Sequence, residues 1–258
     1  MNYGLKEILE RALKEKNTLE NLYLEADPLQ VAAKFKNVHI SLICALFAYG
    51  NAKAIVKFLN SLDFELLSLS DQIIEKEILA QKRLYRFQNP KDVSNIFITI
   101  KRAAQEDIQA IIKSGFDKNG LMIDGINSLI NKIYDLNDYR SDGYEFFFGR
   151  SYQNEPKSPY KRYNMWLRWM VRDSDIDLGL FKNLPKSELI IPLDTHTHKV
   201  SLALGLCDRK SYDFKAAKEI TLNLKNFDAF DPIKYDFALY RIGQSKELDN
   251  VKSNLKNI

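Results

Sequence analysis

The chain has 258 residues, 45% of them hydrophobic and 28% charged, with a net charge of +4. These values are ordinary for a globular protein and exclude a disordered, collagen-like or membrane-spanning chain. The longest apolar run, around Ile43 to Tyr49, falls far short of the roughly 20 residues a spanning helix needs.

The opening residues, Met1 to Glu7, read as the start of an amphipathic helix, without the basic region and apolar core of a signal peptide. Leu5, Ile8, Leu9 and Leu13 form its apolar face. Asp27 before Pro28 predicts a helix start. Further helical faces follow: Ile40, Ile43, Cys44 and Phe47; then Ile108, Ile111 and Ile112; then Ile126, Leu129, Ile130 and Ile133. Residues 137–159 are the least regular, polar and rich in rings. Leu189 to Leu193 is the best strand candidate, short and interrupted by Pro192. Asp194 and Asp213 are placed to cap helices, Gly205 to end the first of them, and Asp231 before Pro232 predicts another start. The pattern predicts an all-α chain without internal repeats. It divides into two lobes with a cleft between them, one of about 38–140 and the other of about 1–37 with 141–258.

Cys44 and Cys207 are the only cysteines, and His39, His196 and His198 the only histidines. Two distant thiols are neither a disulfide framework nor a thiolate metal site, so a reducing cytoplasm is the expected compartment. Cys44, in an apolar helix, reads as a buried small hydrophobe. His196 and His198 form an H-x-H pair, but residues two apart on a helix do not share a face, so no metal is expected there.

Charge is uneven along the chain. Arg150, Lys157, Lys161, Arg162, Arg168 and Arg172 are opposed between residues 150 and 172 only by Glu155. This surplus exceeds that of the whole chain and suggests a polyanionic partner. Read as a helix, Tyr163, Trp166, Leu167 and Met170 form an apolar stripe. Lys161, Asn164, Arg168 and Arg172 line another side, where they are expected to present donors to phosphates or substrate.

Lys161-Arg162-Tyr163-Asn164, followed later by Pro192-Leu193-Asp194-Thr195-His196, resembles the helix-hairpin-helix DNA glycosylase superfamily. The K-x-x-N and D-T-H elements are similar to those of the endonuclease III branch. The longer connection between them, and the lack of a cysteine cluster, look more like the archaeal 8-oxoguanine DNA glycosylase branch and a related bacterial family. Asp231 to Leu239 and Ala48-Tyr49-Gly50-Asn51 also resemble that bacterial family. The resemblance covers Ser158 to Gly243 and, more weakly, Asp27 to Leu62. It implies a two-lobed, all-helical glycosylase-like fold and a glycosylase with AP lyase activity in DNA base-excision repair, removing an oxidised base, with 8-oxoguanine favoured. Lys161 would be the nucleophile and Asp194 the essential carboxylate. An amine nucleophile must be unprotonated, and burial against Trp166 and Trp169 is expected to lower its pKa.

The hairpin departs from the superfamily in one respect. Glu155-Pro156-Lys157-Ser158-Pro159-Tyr160 has no glycine where the family carries a glycine-rich, phosphate-holding turn, and its prolines remove two amide donors. Lys157, Ser158, Arg162, Asn164, Arg168, Thr195 and His196 are the expected nucleic-acid contacts. The extruded base is expected among Phe47, Tyr49, Phe87 and Trp169. The expected partner is damaged single- or double-stranded DNA, bound by a monomer without cofactor or membrane. Two alternatives stand beside this reading. One is a helical nucleic-acid-binding protein without catalysis. The other is a metal-dependent hydrolase using Asp194, His196 and His198.

Overall fold

In the computed structural model, which describes residues 3–245, every regular element is helical. The expectation of an all-α chain holds. Among the described residues the extended pairings are two isolated bridges, Tyr85 with Gln88 and Asp173 with Leu178. No described helix is long and apolar enough to cross a membrane. The chain divides into two units, Ala26–Gln153 on its own and Met1–Glu25 together with Asn154–Ile258. The central unit is thus wider than the expected 38–140. The helix after Pro28 and the helix ending at Phe148 both pack on its core, the former on the helix at Val38–Leu46 and the latter on that at Pro90–Ala103.

Helix α1 (Tyr3–Lys16) buries Leu5, Ile8, Leu9 and Ala12, the three- and four-residue spacing of one face. Helix α2 (Leu19–Leu24) is capped by Thr18, whose hydroxyl accepts the Asn21 amide. In the central unit, Asp27 accepts the Leu29 amide at 2.9 Å and starts α3 (Leu29–Phe35). Helix α4 (Val38–Leu46) is buried from Ile40 to Leu46, with Cys44 among these residues, and burial pushes that thiol's pKa up. Helices α5 (Ala52–Ser61), α6 (Asp71–Ala80) and α7 (Pro90–Ala103) follow, α7 opening on a capping box between Asn89 and Asp92. Helices α8 (Ile108–Asn119) and α9 (Met122–Leu136) form a close pair. A Cβ on Gly125 would lie 2.6 Å from the Ile112 carbonyl oxygen, so glycine permits this approach of backbone to backbone. Helix α10 (Asp142–Phe148) completes the unit.

The other unit is built round α11 (Lys161–Val171), in which every residue from Tyr163 to Val171 is buried. It continues with α12 (Thr195–Ala203), α13 (Phe214–Lys225) and α14 (Asp236–Ser245). Helix α14 packs on both α1 and α12. A Cβ on Gly243 would lie 2.8 Å from that of His196, so a small residue sets the α12–α14 spacing.

Leu189 to Leu193 forms no strand and no bridge among the described residues. Its polar groups go to side chains: the Ile191 amide donates to Thr221 Oγ1 at 3.0 Å, and the Leu193 carbonyl accepts from the Tyr212 hydroxyl at 2.5 Å. Pro192 has no amide to offer a ladder. Asp231 also departs from expectation. It sits at the N-cap of a short 3-10 turn, Pro232–Tyr235, without a capping bond, because its carboxylate is engaged by Arg172.

Candidate active site

Lys161 opens α11, and the backbone entering it is unusual. Tyr160 stands in the left-handed region, φ 47° and ψ 38°, with no side chain capping the helix. A tyrosine here holds a conformation that glycine adopts freely, at a cost of about 1–2 kcal/mol. The corner is tied down from three directions. Asn164 Nδ2 donates to the Pro159 carbonyl at 2.9 Å, the Tyr160 amide donates to Ser158 Oγ at 3.3 Å, and the Phe214 amide donates to the Lys157 carbonyl at 3.1 Å. Asn164 thus holds the hairpin and is buried. Lys161 is half-buried, and among the described residues its amine has neither an ion pair nor a hydrogen bond.

Asp194 is the N-cap of α12. Its Oδ1 accepts the Thr197 amide at 2.8 Å, and its second oxygen makes no such bond among the described residues. The approach to it is fixed on either side of Pro192 by the Thr221 and Tyr212 bonds. Asp194 in turn makes the Tyr212 hydroxyl harder to ionise, a smaller effect than that of burial. A capping carboxylate held by backbone is rigid, and its outer oxygen is available for chemistry.

Both groups act on a third. Asp236, at the start of α14, is buried, and its carboxyl is pushed up to about 6. Burial raises it, the Arg168 guanidinium opposes that rise, the Asp194 charge adds to it, and Lys161 lowers it. An amine and an acid remote in the chain therefore share one electrostatic neighbourhood around a buried carboxyl. They form no ion pair with each other.

The row along α11 is real, but its direction is opposite to expectation. Arg168, which was expected to contact nucleic acid, has a side chain only 5% exposed. Its Nε donates to Asp177 Oδ1 at 3.0 Å and its Nη1 to Asp236 Oδ2 at 2.6 Å. Arg172 is likewise buried, bonded to Asp177 and, at 2.9 Å, to Asp231. These arginines hold the interior together and cannot meet phosphate. Asp177, Asp231 and Asp236 escaped the sequence reading as partners. A signal was present: Arg168 and Arg172 are interleaved with Trp166, Leu167, Trp169, Met170 and Val171, so the helix is apolar on both flanks of its arginines. Such a helix is buried all round, and buried arginines need acids.

The remaining expected contacts stay at the surface. Lys157, Ser158, Thr195 and His196 are exposed and Arg162 half-buried. His196 Nδ1 lies 3.1 Å from the Gly243 carbonyl and His198 Nε2 lies 2.9 Å from that of Arg209, so the two rings serve different anchors. Among the described residues no three His, Cys, Asp or Glu side chains are grouped to hold a metal ion.

Two of the four expected base contacts are corrected. Phe47 is fully buried, its ring packed against Phe58, Tyr85 and Phe147 at 4.9, 5.5 and 4.5 Å. Trp169 is buried in the all-round core of α11. Neither offers a face to a base. Tyr49 and Phe87 do come together, half-buried and exposed respectively, in the unit of residues 26–153.

The fold and site define an all-helical protein with a lysine–aspartate pair placed at two helix N-termini. A family model described as a protein of unknown function, DUF2400, matches residues 27–245, and the chain belongs to that family. Neither the curated proteins nor the solved structures yielded a match.

Proposed function

We propose that this protein is a DNA glycosylase with AP lyase activity acting on an oxidised base, with 8-oxoguanine the favoured substrate. The observation that carries the reading is the shared neighbourhood of Lys161 and Asp194: a half-buried amine with no hydrogen bond or ion pair among the described residues, and a carboxylate with one oxygen held and, among the same residues, one without a hydrogen bond. In this reaction Lys161 Nζ attacks C1′ of the damaged nucleotide. The N-glycosidic bond breaks and the base leaves with the electron pair and takes up a proton. The nitrogen–C1′ adduct opens the sugar to a Schiff base, O4′ accepting a proton. Loss of a proton from C2′ then breaks the C3′–O bond and releases the 3′ phosphate, and water returns the lysine. Asp194 stabilises the positive charge developing at C1′ and receives the proton that Lys161 gives up. Lys157, Ser158 and Arg162, beside the uncapped start of α11, support the adjoining phosphate.

Borohydride reduction in the presence of lesion-bearing oligonucleotides tests the reading. Wild type is expected to form a covalent protein–DNA adduct, and Lys161→Gln none. Absence of an adduct with wild type across the lesion panel, or an adduct that persists in Lys161→Gln, refutes it. Salt-sensitive binding without cleavage would instead favour a non-catalytic nucleic-acid-binding protein.

A further inference from the structure

Residues 81–89 interleave Lys82, Arg83 and Arg86 with Leu84, Tyr85 and Phe87 and contain no acid. They form a tight turn. The Tyr85 amide donates to the Gln88 carbonyl at 3.1 Å, and the Gln88 amide returns a bond to Tyr85 at 2.9 Å, which leaves Arg86 and Phe87 at the tip. Arg86 and Lys82 both stand in the left-handed region, at φ 52° and 48°. Such residues persist where their surroundings over-determine them, and they cluster at ligand clamps.

The surroundings here are rigid. The Tyr85 hydroxyl donates to the Tyr49 carbonyl at 2.8 Å. Buried Gln88 donates through Nε2 to the Gly143 carbonyl at 2.7 Å and accepts from the Tyr49 hydroxyl. Gly50, at φ 100°, makes room for the arginine; a Cβ there would lie 2.7 Å from Arg86 Nη1.

On this base three rings meet. Phe87 is stacked on Tyr49, centroids 6.1 Å apart and planes 14° from parallel. Phe146 stands edge-on to both, at 4.7 and 4.9 Å. The Arg86 guanidinium lies 5.6 Å from the Phe87 centroid. Although mutually packed, Phe87 remains 55% exposed, Phe146 42% and Leu84 on the same turn 68%. Glu145, the acid next to Phe146, is engaged by Arg150 at 2.6 Å.

A fixed, exposed aromatic face marks an interaction site. Its rings favour a flat π-system and its basic rim a polyanion, and an unpaired nucleic-acid strand supplies both. We propose that Tyr49, Phe87 and Phe146 form a stacking platform for an unpaired nucleobase, with Arg86, Arg83 and Lys82 holding the flanking phosphates. Tyr49 and Phe87 were also expected to receive the extruded base of the glycosylase reading, but the platform needs no chemistry at Lys161 and takes any unpaired base.

The test uses the full chain and fluorescence anisotropy with two labelled probes, a ten-nucleotide oligothymidylate and a backbone of equal length without bases. Wild type is expected to bind the base-bearing strand more tightly. Phe87→Ala should weaken that binding about tenfold while leaving the base-free backbone unaffected, and Phe87→Trp should retain it. Arg86→Ala should weaken both probes and flatten the salt dependence. Lys161→Gln should bind oligothymidylate like wild type, which separates this site from the catalytic reading. Equal wild-type affinity for the two probes, unchanged oligothymidylate binding by a folded Phe87→Ala, or no binding of either probe overturns the proposal. A protein ligand on the same face would appear as the last of these outcomes.

Discussion

Arg168→Met removes the guanidinium that donates to Asp236. The arginine donates to Asp177 at 3.0 Å and to Asp236 at 2.6 Å. Asp177 keeps Arg172 and Ser174, whereas among the described residues the remaining cation acting on Asp236 is Lys161, which makes no bond to it. The loss therefore concentrates at Asp236. Two charge-assisted hydrogen bonds at about 1.5–3 kcal/mol each, and the direct precedent for removing one partner of a buried ion pair, both give a cost of about 3–5 kcal/mol. The pH dependence has a definite sign. The Asp236 carboxyl already lies near 6 with Arg168 beside it and rises further without it. A carboxyl whose native pKa exceeds its unfolded value near 3.9 binds more protons when folded, so stability falls as pH rises through the interval. The Arg168→Met deficit should therefore be small at pH 5, where a proton replaces the guanidinium, and full at pH 8. Adding Asp236→Leu should recover most of it at pH 8, since no charge is then left unpaired there. Urea unfolding at pH 5, 6.5 and 8, compared at constant slope, measures all three variants. A deficit below about 1 kcal/mol at pH 8, equal deficits at pH 5 and 8, or no recovery in the double variant refutes the reasoning.

Asp236→Asn alone should gain stability relative to wild type as pH rises from 4 to 7, by about 3 kcal/mol for a shift of roughly two units; parallel pH–stability curves would contradict this. Asp194→Ala should lose about 1 kcal/mol in thermal unfolding with the Thr197 capping bond, and Asp194→Asn much less, while both lose borohydride trapping; trapping that survives in Asp194→Asn would leave the aspartate with a capping role alone. Gly125→Ala should destabilise, although the same change on an open helix gains about 1 kcal/mol, because its Cβ would meet the Ile112 carbonyl at 2.6 Å; a raised Tm would show that α8 and α9 part easily.

Local chemistry was legible where it acts within one turn. Asp194 and Asp213 cap the helices they were expected to cap, accepting the Thr197 and Ala216 amides, and Leu5, Ile8 and Leu9 of the expected face are buried while Leu13 is half-buried. Asp27 and Asp231 show the limit. Both precede proline, yet Asp27 starts a helix whereas Asp231 is engaged by Arg172, fifty-nine residues earlier. Periodicity assigned Lys161, Asn164, Arg168 and Arg172 to one side of α11 but could not say what that side meets. Its partners are Asp177, across a turn, and Asp231 and Asp236, distant in the chain. The same limit explains Phe47 and Trp169: a ring in an apolar segment looks alike in sequence whether it faces a ligand or the packed interior.

The row on α11 is best understood as a passage from solvent to interior. At its inner end, Arg168 and Arg172 face Asp177, Asp231 and Asp236, so the acids outnumber the arginines by one. A surplus negative charge in a buried array is costly unless a further cation lies within range or a proton is taken up. Both responses are visible: Asp236 is shifted toward the proton-bound form, and Lys161 at the outer end is among the cations that oppose that shift. Lys161 is thus coupled to the array by its charge, and among the described residues no hydrogen bond or ion pair holds it there. The burial of the arginines, which removes them as phosphate contacts, is what creates this setting for the amine.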